Sequence, residues 1–180
     1  MLLALTTLAA ATLSATPQTY QLESSNKQSM ASYTAVHKLH QFTGTSHDLT
    51  GLARALPDGT LQVQIRGPVG GFDSENGNRD EHMKETVEAA KFPDVTVKCL
   101  SKLSGNGNQK ISADCDINLH GQSQKVTAPL DLTFSGAGKV EAKGTFSVSW
   151  DGFGIKRPQL LFVPINDQGT IVVDVVFTAK

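Results

Sequence analysis

The sequence lacks a large net charge of either sign, a periodic arrangement of glycine, and the length of a multidomain protein. Its 180 residues suit one compact domain and leave little room for a second. Sixteen basic and seventeen acidic side chains give a formal charge of −1, so the molecule as a whole has no positive field that would attract nucleic acid or an anionic membrane. The 16 glycines follow no three-residue period, so the chain is not collagen-like. With 39% apolar residues and so little net charge, intrinsic disorder is also excluded, and a folded globular domain is expected.

The sequence also lacks the short motifs that mark common catalytic sites. It contains no HExxH, CxxC or GxSxG, and its Gly-x-Gly segments lie in predicted turns rather than between a strand and a helix. His37 and His40 are spaced like a pair of metal ligands, but in an extended strand a separation of three residues puts them on opposite faces. We therefore expect no metal site, no cofactor and no enzymatic activity.

The first stretch of the chain has no charged side chain and resembles an export signal. Residues 1–15 read MLLALTTLAAATLSA, and the first charged side chain is Glu23. The apolar run is shorter than the ~20 residues of a transmembrane helix and is interrupted by threonine. Small side chains around Ala11 and Ser14 suit cleavage at about residues 11–15, which predicts a periplasmic or extracellular protein whose mature domain spans residues 20–180. The alternative is a buried or frayed N-terminal segment.

Most of the remaining chain alternates between apolar and polar residues, with the period of a β-strand. Turn-forming residues separate the alternating runs, so an all-β fold of about eight antiparallel strands is expected. The predicted strands lie at residues 29–36, 49–56, 61–69, 95–103, 111–119, 126–134, 140–150 and 171–177.

The two cysteines lie in neighbouring predicted strands. Residues 104–108 (SGNGN) form a turn that tolerates positive φ, and pairing Ser104 with Lys110 across it places Cys99 opposite Cys115. Both side chains then point inward, and an oxidising compartment would favour a disulfide. A change of one residue in the register would send the two thiols to opposite faces. Two buried free thiols are the alternative.

One segment breaks the strand pattern. Residues 79–91 contain good helix formers, follow an Asn78 that can cap a helix, and end before a Phe-Pro dipeptide. The spacing predicts a short helix over about residues 79–91 that lies across one end of the sheet, with Met83 and Val87 facing inward. Asp80 is expected to stabilise the start of this helix rather than to contact a ligand.

Four segments of the chain, taken in order, match the signature of a known family. They are residues 36–37 with 42–44 (VH and FTG), 72–95 including the predicted helix, 118–121 (NLHG) followed by Val126 and Pro129, and 151–158 (DGFGIKRP). In order and spacing they resemble the YceI-like proteins, a family of exported, polyisoprenoid-binding, lipocalin-like barrels. The resemblance extends from about Tyr20 to Lys180.

The resemblance implies an antiparallel lipocalin-like barrel whose apolar pore holds one amphiphilic lipid, such as a polyprenyl chain or an isoprenoid quinone, with no chemistry done on it. A barrel of about eight strands can be just filled by side chains or can hold one small ligand, and the mixture of large and small inward residues favours an open pore. Such a barrel is also compatible with a homodimer and with transient contact with a membrane.

Candidate ligand-binding residues follow from the inward faces of the strands and from the helix end of the barrel. The expected pore lining is Val97, Leu119, Leu130, Leu132, Phe134, Ala142, Phe146, Val148 and Trp150. The expected contacts at the pore mouth, near a ligand head group, are His37, Phe42, Arg79, His82 and Met83.

Residues 159–164 (QLLFVP) depart from the family pattern, with apolar side chains at the consecutive positions 160–163. They form either a strand or an exposed rim at the pore mouth. This segment also supports an alternative function, in which the barrel is filled by its own side chains. Such a barrel would act as a secreted protein-interaction or stress-related structural module, using residues 160–163 or an edge strand to meet its partner.

Overall fold

The structure is a computed structural model that describes residues 17–22, 27–105, 107–135 and 138–180. The predicted export signal over residues 1–15 lies outside the described residues. Within the described part of the chain, no helix is both long enough and apolar enough to cross a membrane.

Twelve strands and one α-helix lie in the described part of the chain. The strands are β1 (Gln18–Leu22), β2 (Met30–His37), β3 (His40–Ser46), β4 (Thr50–Ala55), β5 (Thr60–Pro68), β6 (Asp94–Lys102), β7 (Gln109–Leu119), β8 (Gln122–Ser135), β9 (Lys139–Ser149), β10 (Gln159–Leu160), β11 (Val163–Pro164) and β12 (Gln168–Ala179). The helix is α1 (Gly77–Thr86), and two short 3-10 turns span Val69–Gly71 and Asp151–Phe153.

Ten of these strands close into an antiparallel barrel with eight strand positions, which confirms the predicted fold class. The order is β1-β4-β5-β6-β7-β8-β9-β12, and β12 closes the ring by pairing back to β1. β12 pairs with β2 over residues 170–174 and with β1 near residue 179, so β2 and β1 share one strand position of the barrel, one after the other. β3 pairs with β2 and continues the position of β4 in the same way. β1 and β3 were absent from the predicted strands, since neither carries a clear apolar stripe.

The change of partner along β12 would leave a backbone amide without a strand partner. At this point the Val176 N–H donates to the Ser29 hydroxyl at 2.9 Å, and Ser29 is fully buried just before β2. On the neighbouring strand position, the buried Ser46 hydroxyl accepts the Asp48 N–H at 3.2 Å. Two serines thus satisfy backbone groups where the strands are interrupted.

The two ends of the barrel are connected differently. At the far end, short turns join β4 to β5, β6 to β7 and β8 to β9. At the opposite end, which we call the mouth end, lie the β2–β3 and β7–β8 turns, the long β5–β6 connection that carries α1, and residues 150–167 between β9 and β12. Buried apolar clusters form at both ends, around Leu22 and Phe177 at the far end and around Val69 and Phe153 at the mouth end.

The predicted helix is present, but its predicted bounds of 79–91 are wrong. α1 begins after Asn76, whose side-chain oxygen accepts the Arg79 N–H at 3.1 Å, so Asn76 rather than Asn78 is the N-cap. It ends at Thr86 because Glu88 adopts a left-handed conformation with φ of 49°. The Ala89 and Glu88 amides then bond to the Lys84 and Glu85 carbonyls, which is the Schellman arrangement of a helix end.

Candidate functional site

A continuous apolar cavity of about 530 Å³ runs along the inside of the barrel, within the usual size range of small-molecule sites. All nine residues predicted to line the pore lie on its wall, as strand alternation requires: Val97, Leu119, Leu130, Leu132, Phe134, Ala142, Phe146, Val148 and Trp150. Trp150 follows the end of β9 and is the N-cap of the 3-10 turn over Asp151–Phe153, so it lies outside the strand itself. Contact of these side chains with a ligand remains a prediction.

Small side chains explain why the middle of the barrel is not filled. Ala113, Ala128 and Ala142 point inward from three adjacent strands and are almost fully buried. Their methyl groups leave space that a leucine or phenylalanine would occupy. At the far end larger side chains, among them Leu61 and Phe177, line the cavity. The wall is therefore apolar from one end to the other.

The mouth of the cavity is formed by α1, the start of β3 and the segment before β10. The five residues predicted for the mouth all line this part of the cavity: His37, Phe42, Arg79, His82 and Met83. Pro158, Gln159 and Ile165 complete the rim, and the long β9–β12 connection therefore lies beside the opening.

The polar groups at the start of α1 are engaged with one another. Asp80 is buried and accepts the Ser74 N–H at 3.1 Å and the Ser74 hydroxyl at 2.5 Å. Arg79 donates to the Ser74 hydroxyl at 2.7 Å and to the Ser74 carbonyl at 2.5 Å, and its guanidinium carbon lies 5.2 Å from the centre of the Phe42 ring. Charged groups that share buried hydrogen bonds fix the position of the helix over the opening. The His82 side chain, by contrast, is exposed on the cavity rim and forms no hydrogen bond to any described residue.

The prediction that His37 and His40 lie on opposite faces is wrong. The chain turns at Lys38 and Leu39, so the two histidines become cross-strand partners of the β2–β3 hairpin. Their ring centres are 5.3 Å apart, and both side chains line the cavity. The argument from strand period failed because it assumed one extended strand where the chain reverses direction. Among the described residues, no group of three or more histidines, cysteines or acidic residues could hold a metal ion.

Tyr33 was missed by the sequence analysis and lies at the centre of an aromatic cluster at the mouth end. Its ring packs against those of Phe42, Phe72 and Trp150 at centre distances of 6.5, 5.7 and 6.2 Å. Burial raises the pKa of Tyr33 to about 12, and the nearby Asp80 carboxylate adds to this effect. Tyr33 shares the inward face of β2 with Ala35 and His37, so period-two alternation could have identified it.

Two buried hydrogen-bonding groups of this cluster have no partner within the described part of the chain. They are the Tyr33 hydroxyl and the Trp150 indole nitrogen. Each ring covers a glycine on a neighbouring strand, Gly44 beneath Tyr33 and Gly169 beneath Trp150, where any added Cβ would collide with the ring. The glycines are therefore required for the aromatic packing at this end of the cavity.

The sequence model that defines the YceI-like domain family matches residues 20–177 of this chain. The chain belongs to the YceI-like family. The match includes every strand from β2 to β11 and most of β1 and β12, so the sequence resemblance is confirmed over the whole barrel. No significant match is found among curated proteins.

Solved structures share this YceI-like fold at low sequence identity. A polyisoprenoid-binding domain from Saccharophagus degradans is 12% identical, with a TM-score of 0.71, over 90% of this chain and 98% of that one. BcnA from Burkholderia cenocepacia is 14% identical, with a TM-score of 0.71, over 86% and 98% of the two chains. A Campylobacter jejuni YceI protein is 16% identical, with a TM-score of 0.58, over 76% and 84%.

The two cysteines of this YceI-like protein form a disulfide in the wall of the cavity. Cys99 and Cys115 are directly paired between β6 and β7, in the register predicted from the intervening turn, with a Cα–Cα distance of 4.0 Å. Both residues line the cavity. Of the two predicted alternatives, the disulfide is the one present in the structure.

The family segment at residues 118–121 forms the tight turn between β7 and β8. His120 and Gly121 both have positive φ, as a two-residue type I′ hairpin requires. The His120 ring nitrogens lie 3.0 Å from the Phe153 carbonyl and 3.3 Å from the Glu88 carboxylate, and its ring packs edge-on against Phe92. This histidine therefore links the turn to the end of α1 and to the 3-10 turn, which is a structural role at the mouth end.

Residues 159–164, which the sequence left as either a strand or an exposed rim, combine both features. β10 and β11 form a hairpin of two-residue strands, and its turn consists of Leu161 and Phe162. Leu161, Phe162 and Val163 are all exposed. Gln159 in β10 and Ile165 after β11 line the opening of the cavity, so the hairpin stands beside this opening.

Proposed function

We propose that this protein binds an amphiphilic lipid, a polyprenyl chain or an isoprenoid quinone, in its cavity and carries or sequesters it. The observation that carries the proposal is the continuous apolar cavity that opens at the mouth end. Each buried methylene contributes about 0.8 kcal/mol, so one five-carbon isoprene unit contributes several kcal/mol before ordering costs are subtracted. A similar structure is that of a polyisoprenoid-binding domain, which supports this class of ligand.

We infer that binding takes place without catalysis. Arg79 and Asp80 at the opening are engaged with Ser74, so they hold the helix in place rather than facing a reacting atom. The polar groups left for a ligand head group, such as His82 and His40, lie on the rim. A ligand held mainly by its tail needs few polar contacts, which suits a carrier. The predicted export signal supports a periplasmic or extracellular site of action.

The alternative function, a filled barrel that serves as a secreted interaction module, receives less support. It requires the inward side chains to occupy the interior, whereas three inward alanines border open volume in the middle of the barrel. A homodimer remains compatible with either function, and no nucleic-acid partner is proposed.

The test is native mass spectrometry of the protein purified from an exporting host, followed by organic extraction and lipid analysis. We expect a mass excess that extracts as a prenyl chain or quinone. Ala142→Phe should reduce the bound lipid by filling the cavity, whereas Ser147→Phe adds the same side chain to the outer face of β9 and should leave the lipid in place. A protein at its bare polypeptide mass that also fails to take up added quinone would contradict the proposal.

A further inference from the structure

Exposed apolar side chains concentrate beside the opening of the cavity. Phe162 is 96% exposed, Leu161 74% and Leu39 66%, and Val163 is exposed next to them in sequence. Leu39 belongs to the β2–β3 turn, and the other three belong to the β10–β11 hairpin. Elsewhere on the described surface, Leu52 and Leu100 are exposed large apolar residues on separate strands of the barrel wall. We call Leu39, Leu161, Phe162 and Val163 the mouth tips.

A buried histidine holds the two parts of this surface together. His37 Nδ1 accepts the Leu39 N–H at 3.2 Å, and the opposite ring nitrogen, Nε2, lies 3.1 Å from the Val163 carbonyl oxygen. Because Nδ1 accepts a hydrogen bond, the ring proton is on Nε2 and is donated to Val163. His37 is only 4% exposed. The β2–β3 turn and the β10–β11 hairpin are therefore fixed relative to each other by one side chain.

The residues at the hairpin tip do not serve the fold. Leu161 and Phe162 have φ values of 52° and 66°, a backbone region that favours glycine or asparagine and disfavours bulky residues. Their side chains gain little from burial against the rest of the chain, because both are highly exposed. A turn sequence such as Asn-Gly would form the same hairpin with less strain. The choice of two large apolar residues therefore indicates a partner outside the chain.

The size and surroundings of the mouth tips fit a lipid bilayer. Four side chains on two protruding turns offer far less area than the ~800 Å² per partner of a typical protein interface. Phenylalanine and leucine insert readily into the boundary between headgroups and acyl chains. Lys38 adjoins Leu39, and Lys156 lies on the segment that leads to the hairpin; neither forms an ion pair with a residue that the structure describes. Such lysines attract anionic headgroups.

We propose that the mouth tips dock the open end of the barrel onto an anionic lipid bilayer. Insertion of Phe162 and Leu161 brings the cavity opening to the membrane surface, so that an apolar tail passes between bilayer and cavity with little exposure to water. This proposal rests on the proposed carrier function, because it supplies the route by which that ligand enters and leaves.

Vesicle co-flotation tests the proposal with the full chain. The vesicles contain phosphatidylcholine alone or an equal mixture of phosphatidylcholine and phosphatidylglycerol. The variant Leu161→Asn/Phe162→Gly removes the apolar side chains and installs the residues that this turn prefers, so the hairpin is expected to persist. The matched control, Leu52→Ser/Leu100→Ser, removes two exposed leucines from the barrel wall. All proteins share the same N-terminus, so differences between them report the substituted positions.

We expect the mixed vesicles to bind the wild type and the wall control equally, and the tip variant at least about tenfold more weakly. Lys38→Gln should weaken binding to the mixed vesicles and leave the weaker binding to phosphatidylcholine unchanged. In a second measurement, Phe162→Trp should show a blue-shifted emission with vesicles and quenching by brominated lipids. Trp150 is buried and gives the same background in both proteins.

Equal flotation of wild type and tip variant would overturn the proposal. It would also be overturned if the wild type formed a dimer that the tip variant does not form while neither protein bound vesicles, because the tips would then join two copies of the chain. Native mass spectrometry of the same samples separates the two proposals. If the tip variant retains lipid and floats like the wild type, only the docking proposal is contradicted. If the wild type binds vesicles but never holds lipid, only the carrier function is contradicted.

Discussion

The two ends of the barrel are stabilised by different kinds of interaction. At the far end, tight turns and exposed ion pairs such as Asp58–Lys102 and Lys110–Asp131 surround a buried apolar cluster. At the mouth end, a helix and two 3-10 turns are joined by the buried Asp80–Ser74 hydrogen bonds and by an aromatic cluster. The mouth end also holds the Tyr33 hydroxyl and the Trp150 indole nitrogen, which have no hydrogen-bond partner among the described residues, and the exposed mouth tips. This difference supports the proposal that a ligand enters and leaves at the mouth end.

The largest expected effect on the free energy of unfolding comes from removing a buried apolar side chain, tested in one variant for each end. Leu22→Ala at the far end and Phe153→Ala at the mouth end should each lower the free energy of unfolding by about 3 kcal/mol or more, since both residues are 1% exposed. Only Phe153 borders the cavity, so only its variant should also change lipid retention. Urea unfolding followed by circular dichroism measures the first effect.

The same unfolding experiment can show whether the two ends of the barrel unfold together or separately. Trp150 is the single tryptophan and lies at the mouth end, so its fluorescence reports that end, whereas circular dichroism reports the whole barrel. If the two transitions coincide, the ends unfold as one unit. A fluorescence transition at lower urea would show that the mouth end unfolds separately.

The second effect concerns the middle of the barrel wall, which belongs to neither end. Replacing both Cys99 and Cys115 by alanine removes a disulfide that spans 16 residues, and this should lower the free energy of unfolding by about 3 kcal/mol. The wild type treated with a reductant should match the variant. Two titratable thiols in unreduced, unfolded protein would contradict the disulfide.

The third effect compares a carboxylate at each end. Asp80→Asn disrupts buried hydrogen bonds to Ser74 and should cost about 1 to 3 kcal/mol of stability. Asp58→Asn, at the exposed far-end turn, should have a smaller effect. Hydrogen bonds from the Thr60 amide and from Lys102 lower the pKa of Asp58 to about 2. Its stabilising contribution is therefore present above pH 3.8 and lost as the pH falls toward 2.

Thermal unfolding of both variants at neutral pH measures the difference between the two carboxylates. Carbon-detected NMR titration of Asp58 checks its midpoint independently. If Asp58→Asn were less stable than Asp80→Asn, the buried hydrogen bonds of Asp80 at the mouth end would not be the stronger of the two sets of interactions.

The smallest expected effect concerns the Tyr33 hydroxyl. Tyr33→Phe removes a buried group that lacks a hydrogen-bond partner in the described chain, so stability should be unchanged or should rise by up to about 1 kcal/mol. Burial raises the pKa of Tyr33 from 10.0 to about 12, so the hydroxyl ionises first in the unfolded chain and the wild type should lose stability as the pH rises from 10 toward 12, a loss that Tyr33→Phe should not show.

The chain has two tyrosines, so Tyr20→Phe isolates the signal of Tyr33. Tyrosinate absorbance of that variant should rise with a midpoint of about 12. A midpoint near 10 would show that the ring is not buried as the structure has it.

Strand periodicity predicted the barrel interior well because alternation is a local property of extended chain. The nine predicted pore residues all face the cavity, and the Cys99–Cys115 register followed from one turn. The limits of α1 were less predictable, because Glu88 has no sequence signal for its left-handed conformation. The pairing of His37 with His40 was also missed, since it depends on a chain reversal between them.

Residue type and spacing were enough to predict the all-β class, the inward faces of the strands and the position of the helical segment, because their effects are local. Which groups meet at the mouth end depends instead on how distant parts of the chain pack together. Closure of β12 onto β1 and β2 brings Tyr33 and Trp150 together, and the same closure places His37 between the turn of Leu39 and the carbonyl of Val163. These contacts join segments more than a hundred residues apart, and no local pattern encodes them.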